Sequence, residues 1–458
     1  MSKIVEKFIA GIWNRSATEG EPQVVIRGLD LGLSIVDGQL TRSHTGIPHS
    51  KRPEHVAILG KTGTGKSSLL RYMARQDIGR DQGFCFFDLH GDATSVLLGL
   101  VASEERRSSR DLSEKLVIIE PADREFSVGL NVLEETGLQS SFVQIAEFAQ
   151  ILKQRWHLDA LGARTEELLR NALAVALDNN LTLLEVAPLL TNQAFRAACL
   201  RRTANPEIKD YFEGRYNRAS EGMQATTNNA ILNKLTAFTA DPHFRHILGQ
   251  RQSTFSLLDA LDHGCWVVVN LDKGRLGEQA ATLGSLLLTK LKNALFSRRS
   301  RNLFTIYADE IQNLVTFDSG LDVLLSEARK FGISVCSANQ YLDQYPQQMR
   351  AAIMAVGTHV CFQLSAADAD KLGAAFDGGK TLAEILKNLP QRHIVIKSGH
   401  HRWRQAVVPQ IEIPQVDWRD LYNRCRHRWA RRRTEIDAEI RARQQRFSRQ
   451  DEVLDDWE

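Results

Sequence analysis

The most informative segment of this 458-residue chain is a glycine-rich run, Gly60-Lys61-Thr62-Gly63-Thr64-Gly65-Lys66-Ser67. It reads G-x-x-x-x-G-K-S, with the apolar run 55–59 before it and residues 68–75, apolar at helical spacing, after it. A strand, a glycine-rich turn and a helix form the context in which this sequence binds phosphate. The glycines let successive N–H groups face an anion, and the helix adds its positive N-terminal dipole. The segment therefore predicts binding of nucleotide phosphates.

Each residue of the segment has an expected part in binding ATP and Mg²⁺. The candidate nucleotide-binding residues are Gly60, Lys61, Thr62, Gly63, Thr64, Gly65, Lys66, Ser67 and Ser68. The Lys66 ammonium would contact the β- and γ-phosphates, and the Ser67 hydroxyl would be a Mg²⁺ ligand. The alternative is a glycine-rich surface turn before a helix.

Two adjacent carboxylates, Asp309 and Glu310, follow an apolar run at residues 303–308. Asp309 is the candidate metal residue, holding Mg²⁺ through its hydration shell, and Glu310 is the candidate group that polarises the attacking water. A kinase has no need of a second carboxylate beside its metal ligand, so the pair favours nucleotide hydrolysis. The alternative is a pair of acids that only cap the next helix.

Gln340 and Arg329 are further candidate catalytic residues. Gln340 follows the apolar run 334–338, and its neutral amide could contact the γ-phosphate or hold the water. Arg329 lies between the two predicted strands, and an arginine from a neighbouring subunit would neutralise charge that develops during phosphoryl transfer. For Arg329, a solvated helix end near the negative dipole is an equally open alternative.

A third group of polar residues follows the apolar run 83–87. Asp88, His90 and Asp92 are site candidates, because polar residues at the carboxyl ends of parallel strands face the ligand crevice. The alternative, that they only cap the helix that follows, is as well supported by the sequence.

The elements that must position these residues are those of an α/β fold. Near-continuous apolar runs separated by helical stretches predict a mainly parallel sheet with both faces covered. Residues 138–250 show helical periodicity and no convincing strand, which predicts an inserted all-helical domain. The expected division is an N-terminal segment at 1–50, a motor domain at 51–137 and 251–412, a helical insert at 138–250 and a tail at 413–458.

The two ends of the chain have distinct patterns. Residues 24–26 and 33–36 could be short strands of a small β-element, and residues 43–53 are predicted to be a lead-in loop. The tail is rich in arginine, with acids and Trp429 interspersed, which predicts an amphipathic helix. Such a helix could pack on a neighbouring subunit as a latch, or it could contact DNA phosphates.

Composition excludes several classes of protein. The net charge is +3 with 43% hydrophobic residues, so overall charge does not indicate a nucleic-acid partner. No apolar run reaches the ~18 residues of a membrane span, and the first residues lack the pattern of a secretory signal. The six cysteines form no C-x-x-C pair and are expected to be buried free thiols. A cytoplasmic location is the expectation.

Taken in order, the motifs resemble the FtsK/HerA superfamily of DNA-pumping ATPases. The similarity is closest to the soluble motor part of the conjugative coupling proteins of type IV secretion, and it covers about residues 52–410. The segments that carry it are 60–68, 87–92, 129–133, 266–277, Asp309-Glu310 with Gln312-Asn313, 327–332 and Asn339-Gln340. Each motif alone is generic, whereas the ordered set is specific.

The resemblance implies a RecA-like core, an all-α domain between the third strand and the later sheet, and ATP hydrolysis between the subunits of a hexameric ring. It also implies DNA as the partner, threaded through the pore. Whether a partner protein recruits the motor is left open by the sequence. The amino terminus departs from the pattern, since the sequence has neither the membrane helices of coupling proteins nor room for the barrel of HerA proteins in residues 1–50.

Two other functions stay open at this point. One is an ATP-gated assembly module, in which nucleotide binding shapes a complex and nothing is pumped. The other is a P-loop ATPase that moves protein in a secretion or defence system. Lys66, Asp309 and Glu310 together favour turnover over passive gating, and the sequence itself does not separate DNA from protein as the cargo.

Overall fold

An eleven-stranded sheet forms the frame of the computed structural model, which describes residues 28–134, 141–155, 162–314, 321–345 and 347–448. Its strands are β1 (Gly28–Val36), β2 (Gln39–Pro48), β3 (Val56–Leu59), β4 (Phe84–Asp88), β5 (Leu116–Ile119), β7 (Trp266–Asn270), β8 (Phe304–Asp309), β9 (Ile333–Asn339), β10 (Thr358–Cys361), β11 (His393–Ser398) and β12 (Arg404–Val407). A separate two-stranded sheet pairs β6 (Phe126–Ser127) with β13 (Arg431–Arg432). In the large sheet the strand order is β2-β1-β12-β11-β10-β3-β9-β8-β4-β7-β5.

The strands from β10 to β5 in this order are all parallel. Alternate residues pack on opposite faces: in β4, Phe84 and Phe86 join one apolar core while Cys85 and Phe87 join the other. Burial on both faces explains why these strands appear in the sequence as continuous apolar runs. The predicted α/β fold with a mainly parallel sheet is confirmed.

Four antiparallel strands extend the sheet beyond β10. Strands β11 and β12 lead to the β1–β2 hairpin, which turns at Asp37 and Gly38, both with positive φ. The predicted strand at 33–36 lies within β1, whereas residues 24–26 lie outside the described residues. The predicted lead-in loop at 43–53 is wrong for its first half, because β2 continues to Pro48 by pairing with β1. A short 3₁₀ helix, His49–Glu54, follows.

Helices cover both faces of the sheet and fill the region between Ser141 and Leu248. They are α1 (Lys66–Gly79), α2 (Ala93–Ser108), α3 (Ser141–Arg155), α4 (Ala163–Asp178), α5 (Val186–Thr191), α6 (Gln193–Arg202), α7 (Pro206–Asp210), α8 (Glu221–Thr239), α9 (Pro242–Leu248), α10 (Leu257–Asp262), α11 (Lys273–Leu276), α12 (Gln279–Ser297), α13 (Leu321–Glu327), α14 (Gln347–Met354), α15 (Ala366–Ala375), α16 (Gly379–Asn388), α17 (Arg419–Trp429) and α18 (Arg433–Ser448). Within the described ranges, none is both long enough and apolar enough to cross a membrane.

The described residues between Ser141 and Leu248 contain helices and turns but no strand. A π-helical turn, Tyr211–Tyr216, follows α7 and brings its aromatic rings together around Phe212. The apolar faces of α4 and α5 join the same core as the neighbouring side of the sheet. This is the stretch for which the sequence predicts a helical insert at 138–250.

The described part of the arginine-rich tail, which ends at Ser448, contains two helices and not the one amphipathic helix that the sequence predicts. Helix α17 ends at Trp429, the chain becomes extended at Ala430, and Arg431 and Arg432 pair with β6 before α18 begins. The Trp429 indole N–H donates to the Ser113 carbonyl at 2.9 Å. The break exists because this backbone pairing requires extended residues in the middle of the helical stretch.

Several of the tail arginines that the structure describes contact acidic residues of the same chain. Arg424 contacts Glu105 and Asp111, Arg426 contacts Asp123, Arg428 contacts Glu114, and Arg443 contacts Glu185. Helix α17 lies beside strand β5, and α18 lies beside α9. The tail therefore forms a strap, residues 419–448, that joins the sheet edge to the helical region within one chain.

A buried ion pair connects α1 to strand β8. Arg52 is only 1% exposed, and its two terminal nitrogens donate to the Asp77 carboxylate at 2.6 and 2.7 Å. The same guanidinium donates to the Thr305 hydroxyl, and the Tyr307 hydroxyl donates to Asp77 at 2.6 Å. Because α1 begins at Lys66 and β8 ends at Asp309, this network fixes the relative position of the two elements that bear the site.

His55 should make the stability of the fold depend on pH. Its imidazole is 3% exposed, and its Nδ1 accepts the Val335 N–H at 3.1 Å, which only an unprotonated Nδ1 can do. Burial lowers the pKa of His55 to about 4, against ~6.5 in the unfolded chain. Below pH ~6.5 His55 binds a proton in the unfolded chain but not in the folded chain. The free energy of unfolding therefore decreases as pH falls toward 4, by on the order of 2–3 kcal/mol.

The measurement is the free energy of unfolding by urea at several pH values. Asn tolerates the positive φ of His55 and cannot titrate, so His55→Asn should give a shallower fall between pH 6.5 and 4 than the wild type. Other buried histidines, such as His359, contribute to both curves and cancel in the difference. If the unfolding free energies of the wild type and His55→Asn fell in parallel over this pH range, His55 would not be the source of the pH dependence.

Candidate active site

The glycine-rich segment forms a loop between β3, which ends at Leu59, and α1, which begins at Lys66. Gly63 has φ 77° and Gly65 has φ 118°, values in the left-handed region that favours glycine. Gly65 is the residue immediately before α1, so the loop delivers its N–H groups to the N-terminus of this helix. The predicted arrangement of strand, loop and helix is present.

Lys66 lies inside the loop and is 7% exposed. Its Nζ donates to the carbonyl oxygens of Gly60 at 2.7 Å and Lys61 at 3.0 Å. Burial lowers the pKa of Lys66, and the neighbouring carboxylates of Asp309 and Glu310 oppose this effect. The ammonium is thus held at the centre of the loop, where incoming phosphate oxygens would replace its carbonyl partners.

Residues from two neighbouring strands fix the shape of the loop. The Gly60 N–H donates to the Asn339 carbonyl at 3.1 Å, and the Lys61 N–H donates to the Gln363 carbonyl at 2.8 Å. A β-carbon on Gly60 would lie 2.6 Å from the Cβ of Phe362, which explains why this position requires glycine. Phe362 and Gln363 are supporting residues that the sequence analysis missed, since nothing in the sequence shows that β10 lies beside β3.

Ser67 and Asp309, the two predicted Mg²⁺ residues, are in direct contact. The Ser67 hydroxyl donates to Oδ2 of Asp309, which is 8% exposed. Burial raises the pKa of Asp309, and the Ser67 hydrogen bond and the Lys66 charge oppose the rise. A hydroxyl and one carboxylate beside a phosphate loop are oxygen donors of the kind that Mg²⁺ binds together with nucleotide phosphates and water. These residues therefore fit the ion.

Glu310 lies next to Asp309 and has an unusual backbone conformation, with φ 55°. Its Oε1 accepts the Gln340 side-chain N–H at 2.7 Å, and its Oε2 accepts that of Asn313 at 3.2 Å. The left-handed backbone turns the Glu310 side chain away from the direction that the strand would give it. The structure thus brings together Glu310 and Gln340, two of the predicted catalytic residues.

Asn339, the last residue of β9, also holds this arrangement in place. It is fully buried, its side-chain amide donates to Gln312, and its oxygen accepts the Tyr345 hydroxyl. Its carbonyl also binds the Gly60 N–H. One residue therefore touches both the phosphate loop and the segment after Glu310. Tyr345 is another supporting residue that the sequence analysis missed.

Asp88 has the capping role that the sequence analysis left open. Its carboxylate accepts the N–H groups of Gly91, Ala93 and Thr94 at 2.8–3.0 Å, at the start of α2. His90 is exposed, and Asp92 lies 4.0 Å from Arg71. With its oxygens used in this way, Asp88 is a structural residue of the helix N-terminus.

The comparison with protein families decides the relationship of the chain. The family described as "Helicase HerA, central domain" matches residues 52–291. This chain belongs to that family. The predicted resemblance to the FtsK/HerA superfamily is confirmed, and no curated protein sequence matches the chain.

Solved structures of other proteins share the fold of this HerA-family chain. The plasmid coupling protein TrwB, in complex with the GTP analogue GDPNP, is 16% identical with a TM-score of 0.58, over 89% of this chain and 94% of that chain. TrwB with ADP and Mg²⁺ is 17% identical over 88% and 93%, with a TM-score of 0.58. VirB4 of Thermoanaerobacter pseudethanolicus is 15% identical over 86% and 98%, with a TM-score of 0.57. At these identities the likeness shows the fold alone.

Arg329 is the one predicted catalytic residue that the HerA-family fold separates from the others. It lies just before β9, whereas the phosphate loop follows the carboxyl end of β3, which is parallel to β9. Arg329 therefore lies at the amino-terminal ends of the parallel strands, on the side of the sheet opposite the phosphate loop. Its side chain is 64% exposed, and its Nη2 lies 3.1 Å from a Glu54 oxygen. Within one chain it does not reach Lys66.

Proposed function

We propose that this HerA-family protein is an ATP hydrolase that uses Mg²⁺·ATP to move DNA. The observation that carries the proposal is the contact between Glu310 and Gln340, beside Asp309 and the Lys66 loop. A loop that only binds nucleotide does not need a second carboxylate placed by an amide from the next strand. This arrangement is suited to hydrolysis, and hydrolysis is what a motor requires.

In the proposed mechanism, the loop N–H groups and Lys66 would bind the phosphates, and Ser67 and Asp309 would hold Mg²⁺, which would supply positive charge beside them. Glu310 accepts a hydrogen bond from the attacking water and orients it toward the γ-phosphate. Gln340 would hold the Glu310 carboxylate through the observed hydrogen bond and would contact the γ-phosphate. Asn339 keeps this strand end in contact with the loop.

We propose a homo-oligomeric ring, a hexamer, because Arg329 is exposed at the sheet edge opposite the site of its own chain. A neighbouring subunit packed against the phosphate loop could present its Arg329 to the γ-phosphate and neutralise charge in the transition state. Glu54 would hold the side chain in place until then. The same geometry makes an isolated subunit incomplete as a catalyst.

The proposed cargo is DNA, and the proposed location is the cytoplasm. Support comes from the HerA helicase family and from the fold shared with a plasmid coupling protein. The test is the ATPase rate of the purified protein alone, with single-stranded DNA and with double-stranded DNA. DNA should raise the rate. A steady rate that neither form changes would favour a protein cargo, and no hydrolysis in any condition would favour an ATP-gated assembly module.

Arg329→Ala should abolish most hydrolysis while each subunit keeps its affinity for ATP, because the arginine would act on the neighbour's nucleotide. A loss of about 10³-fold is expected for an arginine of this kind. Mixing Arg329→Ala with Lys66→Ala subunits should restore part of the activity, since a mixed interface can combine an intact loop with an intact arginine. Lys330→Ala, an exposed neighbour, is the matched control.

Two results would contradict the trans role. One is the absence of any recovery in rings shown by mass to contain both variants. The other is a protein that light scattering finds monomeric at the concentrations, and with the ATP and DNA, at which it hydrolyses ATP.

A further inference from the structure

The phosphate loop has a second set of contacts, on the side away from Asp309 and Glu310. The Gln391 side chain donates to the Gly63 carbonyl at 3.0 Å, and the Arg392 N–H donates to the Thr64 carbonyl at 2.9 Å. Both residues lie in the turn that precedes β11. In the sheet order this turn is on the β10–β11 side of the loop, whereas the catalytic carboxylate pair ends β8, on the other side of β3.

Arg392 has a backbone conformation that a non-glycine residue rarely adopts, with φ 64°. Both of its backbone groups are used, since its carbonyl accepts the Val408 N–H at 2.9 Å. Such strained conformations concentrate at functional sites, where the surrounding structure holds them in place. The strain here directs an arginine toward the loop.

The side chain of Arg392 lies against the loop and is half-buried. A β-carbon on Gly65 would be 3.6 Å from the Arg392 Cγ, so the stem passes directly over the residue before Lys66. Among the residues that the structure describes, no carboxylate or other acceptor pairs with the Arg392 guanidinium. Other charged groups at the loop are Lys61, which is exposed, Lys66, which is bound to loop carbonyls, and the two carboxylates on the far side. Arg71, in α1, donates to the Ser67 carbonyl.

We propose that Arg392 is a nucleotide-binding residue whose guanidinium contacts the phosphate on the nucleoside side of the loop. The γ-phosphate must face Glu310 and Gln340 for hydrolysis, so the α-phosphate faces the β10–β11 side, where Arg392 lies. Guanidinium and phosphate form charge-assisted, often bidentate hydrogen bonds. This inference rests on the proposed function of the same site and adds a residue to it.

The role predicts equal effects on two nucleotides. Because ADP and ATP share the α-phosphate, Arg392→Gln should weaken binding of both by the same factor, roughly 10- to 100-fold, the range for a lost charged hydrogen bond. The measurement is titration of the full chain with fluorescently labelled ADP and a labelled non-hydrolysable ATP analogue, with Mg²⁺. Arg392→Lys keeps the charge and should recover part of the affinity, and Arg404→Gln, an exposed arginine in β12, should bind as the wild type does.

The variant Arg392→Gly tests whether a loss of nucleotide affinity results from the missing side chain or from misfolding. Glycine adopts positive φ readily, so this variant should unfold at a temperature no lower than the wild type while losing affinity as Arg392→Gln does. Wild-type affinity in Arg392→Gln would overturn the inference, and so would a loss confined to the ATP analogue, which would place the contact at the γ-phosphate. If wild-type protein bound neither nucleotide, the proposed function itself would fail, whatever Arg392 does.

Discussion

Glu310→Gln protein is expected to bind Mg²⁺·ATP as tightly as the wild type and to hydrolyse it at least ~100-fold more slowly, the lower range for a lost general base. The two side chains have the same shape, so the amide keeps the site packed. An amide is a much poorer proton acceptor than a carboxylate. Its single oxygen can accept the Gln340 N–H, which donates at 2.7 Å in the structure, but its NH2 group would then face the Asn313 amide, another donor. Binding depends on the loop, which this change leaves alone.

The measurement is single-turnover hydrolysis with the enzyme in excess, together with a titration of nucleotide affinity. Glu207→Gln, an exposed carboxylate of the helical region, controls for the loss of one negative charge. Hydrolysis by Glu310→Gln at the wild-type rate would show that another group orients the water. A loss of affinity as large as the loss of rate would show that Glu310 acts on nucleotide binding.

Lys66→Ala should abolish nucleotide binding, the second large effect. The lysine is 7% exposed and supplies the buried cation that faces the β- and γ-phosphates, so its removal leaves these charges in a dry loop without a partner. We expect no binding at nucleotide concentrations ~100-fold above the wild-type dissociation constant, a difference of about 2.7 kcal/mol in ligand stabilisation. Lys380→Ala, at an exposed helix position, should behave as the wild type does.

Thermal unfolding with and without Mg²⁺·ADP distinguishes this result from misfolding. Without nucleotide, Lys66→Ala should unfold at a temperature close to that of the wild type, because burial already disfavours the charged lysine, as its lowered pKa shows. Added Mg²⁺·ADP should raise the unfolding temperature of the wild type and leave that of the variant unchanged. A nucleotide-dependent rise in the variant would contradict the role of Lys66.

The sequence was sufficient to predict the parts of the site that arise locally. Residues 60–67 are contiguous, so the strand, loop and helix around Lys66 follow from the motif itself. Asp309, Glu310 and Gln340 end two apolar strands, and parallel neighbouring strands bring their carboxyl ends to one edge. The same rule places Arg329, which precedes a strand, at the opposite, amino-terminal ends of these strands.

The contacts that the sequence did not predict join residues far apart in the chain. Phe362 and Gln391 brace the phosphate loop only because β10 pairs with β3 and β11 pairs with β10, and strand order is not visible in a single sequence. The tail arginines show the same limit, because their pattern indicates a charged helix but not the carboxylates at residues 105–185 that neutralise it. The role of Asp88 could not be assigned from the sequence, because capping a helix and catalysis both use an aspartate.

Strand β9 connects the catalytic carboxylate site to the opposite ends of the parallel strands. It is seven residues long, about 20 Å from end to end, and every residue in it is buried. Just after one end Gln340 contacts Glu310, and just before the other end Arg329 is exposed. Because β9 pairs with β3 on one side and β8 on the other, and a one-residue slip would turn its apolar side chains over, the strand holds Gln340 and Arg329 at a fixed separation. In the proposed ring, this fixed separation would set the distance between the catalytic site of one subunit and the arginine that it offers to the next.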